Sequence, residues 1–242
     1  MKDQPVYNRV LLELSGEMMG SPEKTIDMAV LSSLVSQLDE IRSCGVQIAV
    51  VIGAGNIWRG AGKQNGMNRP KADMIGMMAT VVNALALQGA LENSGIPACV
   101  LSAIEFEPMV EVEHVGPYVG RQAIDYLQEG RIVIFAGGTG NPFFTTDTGA
   151  ALRALQIGAD VLLKATKVDG VYSSDPVTDP DAKRFHKLSL EEALQMRLKV
   201  MDAAAFSLCK DNNLPVVVFA LTPEGNTRKV VFGEEIGTML TP

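Results

Sequence analysis

The sequence predicts an α/β fold, a three-layer α/β/α sandwich around a mostly parallel central sheet. Short, nearly continuous runs of Val, Leu and Ile recur along the chain, as strands buried on both faces require. Between them lie longer segments whose apolar residues repeat at helical spacing, and this alternation covers both faces of a parallel sheet with helices. The chain has 242 residues, 47% of them apolar, enough for a substantial core. No linker, repeat or low-complexity tract divides it, so 1–242 reads as a single domain.

Val6 to Leu14 stops abruptly at Ser15-Gly16, which reads as a buried strand running into a loop. Ile26, Val30, Leu31, Leu34, Leu38 and Ile41 place a helix over 26–42, closed by Gly45. Ile48 to Ile52 is a strand ending in a glycine turn, and Lys71 to Asn93 a helix stopped by Gly95. The uncharged stretch Met74 to Leu91 within that helix contains Gly76, Thr80, Asn83, Gln88 and Gly89, which suits a core or a subunit interface better than a membrane span. Ala98 to Leu101 and Ile132 to Phe135 are strands, with a helix near Gln122 to Gln128 between them. Asp147 to Ile157 is a helix, Val161 to Lys164 a strand, Leu190 to Met196 and Ala203 to Lys210 helices, and Val216 to Phe219 a strand.

With 28 acidic against 21 basic residues, a formal charge of −7, the chain is not a nucleic-acid binder of the broad basic kind. Phosphates would have to be held by local groups. Cys44, Cys99 and Cys209 stand singly, away from histidine, and read as buried, reduced thiols of a cytoplasmic protein. The N-terminal residues lack the apolar core of a signal peptide.

Ligands of such sheets sit beyond the carboxyl ends of the strands, which directs attention to the loops at 15–17, 53–60, 137–147 and 165–176. Their Gly, Thr, Ser and Asn content suits a phosphate cradle, because glycine lets backbone N–H groups approach an anion closely. Neither a Walker loop nor a complete G-x-G-x-x-G is present. The stretch Thr139 to Asp147 offers Phe143 and Phe144 as an aromatic wall, with Thr145, Thr146 and Asp147 at the mouth of a helix. The lesser alternative is that the phenylalanines are core and Thr146 simply caps the helix. Arg59 is a candidate phosphate fork or a solvated loop residue. Tyr172 can stack on a base or pack.

The chain resembles the bacterial uridylate kinases of the amino-acid-kinase superfamily over essentially its full length. The resemblance rests on L-S-G-E at 14–17, G-N-I-W-R-G at 55–60, A-D-M-I-G-M-M-A-T at 72–80, T-G-N-P-F-F-T-T-D at 139–147, L-L-K-A-T-K-V-D-G-V-Y at 162–172, V-M-D-A-A-A-F at 200–206 and D-N-N-L-P at 211–215. It implies an amino-acid-kinase-like fold and phosphorylation of UMP by ATP with Mg²⁺ in pyrimidine nucleotide synthesis. It further implies a hexamer of dimers, GTP activation and UTP inhibition. The N-terminal part would supply mainly the UMP side and the oligomer contacts, the C-terminal part mainly the ATP side. UMP would lie against Ala54, Asp73, Thr139, Gly140, Asn141, Pro142, Phe143, Phe144, Thr145 and Thr146. ATP would lie against Glu13, Leu14, Ser15, Gly16, Gly55, Arg59, Thr166, Tyr172 and Asp175. Arg59, Asp147, Asp202 and position 13 would be the catalytic set, with no metal ligand assigned.

Three features depart from the family pattern. Ala54 replaces the middle glycine of its G-G-G, and the loop at 20–27 is shorter than usual, which bears on GTP control. The third is Glu13, where the family has lysine. Strand alternation puts Glu13 and Ser15 on one face and Leu12 and Leu14 on the other. Burying a lone carboxylate is costly, so Glu13 is expected at the open end of its strand, facing the phosphates. Lys63, Lys164, Lys167 or a Mg²⁺ held by Glu13 could offset its charge. Without such compensation, the alternative is a nucleotide-binding regulatory or storage homologue with weak or lost kinase activity.

Overall fold

β1 (Arg9–Leu14) runs through the middle of a nine-stranded sheet and is buried along nearly its whole length. The computed structural model describes residues 4–58, 66–105, 113–114, 120–198 and 200–242. The other strands are β2 (Gln47–Ile52), β3 (Ala98–Ser102), β4 (Glu113–His114), β5 (Ile132–Ala136), β6 (Val161–Thr166), β7 (Lys187–Ser189), β8 (Val216–Ala220) and β9 (Thr238–Thr241). Their order is β4-β3-β5-β2-β1-β6-β8-β9-β7. Neighbours pair in parallel except β8 and β9, which are antiparallel.

Helices α1 (Met28–Arg42), α2 (Arg69–Asn93) and α7 (Asn226–Val231) cover one face. Helices α3 (Gly120–Gln128), α4 (Thr146–Ile157), α5 (Leu190–Gln195) and α6 (Ala203–Asp211) cover the other. The period of two along β1 divides its side chains between these layers. Val10, Leu12 and Leu14 join the α1/α2/α7 core, whereas Leu11 joins the α3–α6 core. Glu13 continues the parity of Leu11 and so faces α4 and α6.

The expected three-layer sandwich is present, and boundaries moved where caps decide them. α1 starts at Met28 because the Asp27 carboxylate accepts from Ala29 N at 3.0 Å. α2 begins at Arg69, with Asn68 accepting from Lys71 N at 3.0 Å and Pro70 tolerated in the first turn. Thr145, not Thr146, caps α4, accepting from Thr148 N at 3.4 Å. The short elements β4, β7, β9 and α7 had no sequence signal, since each is too brief to show a period.

Helix α2, with its uncharged stretch Met74 to Leu91, is long and apolar enough to cross a membrane, yet it packs on the sheet with Ala84, Leu87 and Leu91 in the core. Its other side exposes Met74, Ile75, Met78 and Val82. Cys99 and Cys209 are buried and outside any disulfide among the described residues, as expected, but Cys44 is exposed, because it lies in the turn just beyond α1.

Candidate active site

Loops from four neighbouring parallel strands meet the N-terminus of α4 beyond the carboxyl ends of β1, β2, β5 and β6. There they form two adjoining clefts. The first, about 410 Å³, is walled by Glu13 to Met18, Gly53 to Gly55, Thr145 to Asp147 and Lys164 to Lys167. Gly16 makes the crossing of its loops possible. A Cβ there would stand 2.5 Å from both Gly53 O and Asn56 Oδ1. Gly53 N donates to Leu14 O at 2.9 Å, which ties the two loops together.

At the floor of this cleft Glu13 is only 4% exposed. The strand register sets it directly beside Lys164 of β6. The Lys164 ammonium donates to Glu13 Oε1 at 3.0 Å and to Asp147 Oδ1 at 2.5 Å. Asp147 Oδ2 accepts from the backbone N–H of Asp202 at 3.2 Å. Glu13 Oε2 accepts from no donor among the described residues. Burial raises the Glu13 carboxyl, Lys164 draws it back and Asp147 pushes it up again, leaving it at about 8. Burial opposes ionisation of Asp147 as well. The hydrogen bond from Glu13 and the Lys164 charge outweigh burial and hold Asp147 below the usual carboxylate range.

Glu13 therefore lines the cleft from the carboxyl end of β1 as expected, and it is also buried there, which an ion pair makes possible. Among the described lysines named as compensators, Lys164 is the one in place. Lys167 reaches Glu17 at 2.6 Å, and Lys63 lies outside the described residues. Among the described residues no group of three His, Cys, Asp or Glu side chains is placed to hold a metal.

Asp202 stands behind Asp147. Its carboxylate caps α6 through Ala205 N at 2.9 Å and accepts from the hydroxyls of Thr145 and Thr148, the latter at 2.8 and 3.0 Å. With these acceptors engaged, Asp202 anchors α4 to α6, and it is absent from the walls of both clefts.

The second cleft, about 530 Å³, is bounded by Ala54, Trp58, Arg69, Asp73, Thr80, Thr139, Asn141 and Phe144. It shares Ala54, Gly55, Thr145 and Thr146 with the first. Asp73 accepts from Arg69 Nε at 2.6 and 2.7 Å and from Phe143 N at 2.8 Å, so one carboxylate joins α2 to the 139–146 loop. Phe143 and Phe144 are exposed, which removes the core reading of this pair. Phe143 has a φ of 76°, and its ring lies 5.7 Å from the Arg69 guanidinium.

Gly140, Pro142 and Phe143 belong to the loop but do not wall the cleft. Gly140 is turned onto Ala103, where a Cβ would come within 3.0 Å of the carbonyl oxygen. Ser15, Gly16, Leu14 and Thr166 are in the first cleft, whereas Tyr172 and Asp175 are outside its walls. The Tyr172 hydroxyl donates to Asp169 at 2.6 Å, and Asp175 accepts from Val177 N at 2.9 Å within its own turn. Arg59 lies outside the described residues.

Arg69 and the polar residues inside α2 escaped the sequence reading as site residues. Asn83 donates to Gly53 O at 2.8 Å and exchanges hydrogen bonds with Asn56, and Thr80 Oγ1 accepts from Gly137 N at 2.8 Å. Those side chains hold both glycine loops. The i,i+4 spacing of Arg69 and Asp73 was the one available clue to their pairing.

The sequence signature of the amino acid kinase family matches residues 8–220. The chain belongs to the amino acid kinase family. Within that family it is similar to the solved UMP kinase of Bacillus anthracis, at 35% identity and a TM-score of 0.90 over 97% of this chain and 96% of that one. UMP kinase of Ureaplasma parvum matches at 34% identity and a TM-score of 0.87, covering both chains completely. Uridylate kinase of Archaeoglobus fulgidus matches at 27% identity and a TM-score of 0.70, over 99% of this chain and 100% of that one.

Proposed function

We propose that this amino acid kinase transfers the γ-phosphoryl group of ATP to UMP, giving UDP for pyrimidine nucleotide synthesis in the cytoplasm. The observation that carries the reading is the shared wall of the two clefts. Ala54, Gly55, Thr145 and Thr146 border both, at the N-terminus of α4, where backbone N–H groups and the helix dipole favour two phosphates brought end to end. The full-length likeness to UMP kinases supports uracil as the acceptor base. We place UMP in the Asp73 cleft and ATP in the Glu13 cleft, within one domain.

A UMP phosphate oxygen is already ionised, so no general base is needed. It attacks the γ-phosphorus in line, the bond to the β–γ bridging oxygen breaks, and ADP leaves. Catalysis is then positioning and charge neutralisation. The α4 N-terminus supplies positive potential at the junction and Lys164 offsets the carboxylates beneath it, while the family resemblance suggests Arg59 as a further cation. The described residues form no group of three metal ligands, so Mg²⁺ would be held mainly by the ATP phosphates, whose charge it would help to neutralise.

The apolar face of α2 formed by Met74, Ile75, Met78 and Val82 supports a homo-oligomer, for which the family resemblance suggests a hexamer. GTP activation and UTP inhibition belong to the same proposal, the first qualified by the short 20–27 loop.

The deciding experiment measures ADP release with ATP, Mg²⁺ and a panel of nucleoside monophosphates. Preference for UMP over CMP and AMP is expected, and equal turnover of UMP and AMP overturns the assignment. Glu13 at the family's lysine position favours a second reading, a nucleotide-binding regulatory or storage homologue. Tight nucleotide binding without ADP release identifies that case.

A further inference from the structure

In the Glu13 cleft two acids share one base. Glu13 comes from β1, Asp147 from α4 and Lys164 from β6, and the ammonium touches one oxygen of each carboxyl group. Asp147 has its second oxygen satisfied by the Asp202 N–H. Glu13 does not, for Oε2 is shielded from solvent and has no hydrogen-bond partner among the described residues. An ionised carboxylate with one orphaned oxygen is expensive in such a place. A carboxylic acid is not, because it sheds the charge and turns an O–H toward its neighbour.

We propose that Glu13 holds a proton when the cleft is competent for phosphoryl transfer, and that it is a positioning residue that steers Lys164 without cancelling its charge. This rests on the kinase reading above. With Glu13 neutral, Lys164 and Asp147 balance and the α4 N-terminus meets the phosphates unopposed. With Glu13 ionised, the cluster carries a net negative charge directly below them, and both nucleotide binding and transfer weaken. The lysine-to-glutamate exchange at this position is thereby milder than its formal charges suggest.

The groups facing Glu13 agree with this. From β6 there is Lys164, and from α4 Asp147. From α6 there are Asp202 at its cap and Cys209 within it, and at the cleft rim Glu17 and Lys167 pair with each other. Burial, offset by Lys164 and reinforced by Asp147, leaves Glu13 at about 8. Lys164 is moved upward despite its burial, by Glu13 and then Asp147. Burial and the nearby acids push Cys209 to about 12. Phosphate monoesters lose their second proton near pH ~6, so they are fully charged before Glu13 titrates.

The test compares the parent with Glu13→Gln, a neutral isostere that cannot ionise. Turnover is followed from about pH 6 to pH 9 at saturating ATP, UMP and Mg²⁺. The nucleotide-free proteins are titrated in parallel by carboxyl ¹³C NMR. Turnover of the parent should fall about tenfold between roughly pH 7 and pH 9, as one proton is lost, and the Glu13→Gln ratio over that range should stay near one. A glutamate resonance missing from Glu13→Gln should titrate over the same range. An unchanged alkaline limb in Glu13→Gln overturns the proposal, as does a Glu13 resonance that is ionised throughout. The NMR titration needs no turnover, so an inactive enzyme refutes the kinase reading while the resonance still decides this one.

Discussion

Glu13 and Lys164 are register partners on the adjacent parallel strands β1 and β6, and their side chains meet at 3.0 Å on the face covered by α4 and α6. Strand parity puts both on the same face, and the strand ends carry them to the floor of the first cleft. A single step of register would have sent Glu13 into the apolar Leu12 and Leu14 side of the core. The acid is tolerated because the sheet delivers its partner.

Gly16→Ala should cripple the first cleft. The added methyl would lie 2.5 Å from Gly53 O and 2.7 Å from Gly55 N, backbone atoms that cannot turn aside. The loops must separate, which dismantles the cradle. A raised KM for ATP together with a lowered Tm is expected. A variant with parental values would mean that the two loops are not held this closely.

Asp73→Asn should act on the acceptor. The carboxylate links Arg69 to Phe143 N, and an amide keeps at most part of that bridge. KM for UMP should rise about tenfold, the effect of roughly 1.4 kcal/mol, with a smaller change in kcat. Steady-state kinetics with UMP varied at saturating ATP provide the check.

The alternation of strands and helices was legible in the sequence because each long element has its own period and an apolar face. The cleft loops were legible because glycine and threonine cluster where strands end. What stayed hidden depends on register. The sequence offers Lys164 only as one of several cations that could offset Glu13, and register, acting across 151 positions, sets it beside the acid. Asn83 and Thr80 look like polar flaws in an apolar helix until the loops they hold, at Gly53 and Gly137, are folded against them. The resemblance pointed to Asp202 as a catalytic acid, but the cap and hydroxyl contacts that occupy it are visible only in three dimensions.

Asp202→Ala should therefore behave first as a lost helix cap. Removal of the side chain frees Ala205 N and leaves the Thr145 and Thr148 hydroxyls without their acceptor, at a cost of about 1–2 kcal/mol in denaturant unfolding. Asp202→Asn retains acceptor capacity and should lose less. Equal losses for the two variants would point to the charge rather than the cap.

Stability should fall as pH rises across the Glu13 titration. Its folded carboxyl is raised from 4.5 to about 8, so between those values the folded state binds a proton that the unfolded chain has released. The slope is at most about 1.4 kcal/mol per pH unit and vanishes above and below that window. Asp147 is lowered and acts oppositely, its contribution disappearing only under more acid conditions. Denaturant unfolding of the parent at several pH values within the window should show the decline, and Glu13→Gln should lack it.

Glu13→Lys should make folding depend on the nucleotide. In the free protein a second ammonium would sit beside Lys164 with only Asp147 to neutralise the pair, and like charges about 4 Å apart at an effective dielectric of about 20 repel by roughly 4 kcal/mol. The nucleotide-free variant should therefore have a lower Tm than the parent. ATP phosphates would then bring the anions that this arrangement lacks, so saturating ATP should raise Tm more in the variant than in the parent. Thermal unfolding of both proteins, with and without ATP and Mg²⁺, measures the difference. Equal shifts would mean that position 13 does not face the phosphates, because only a group in their field can distinguish the loaded cleft from the empty one.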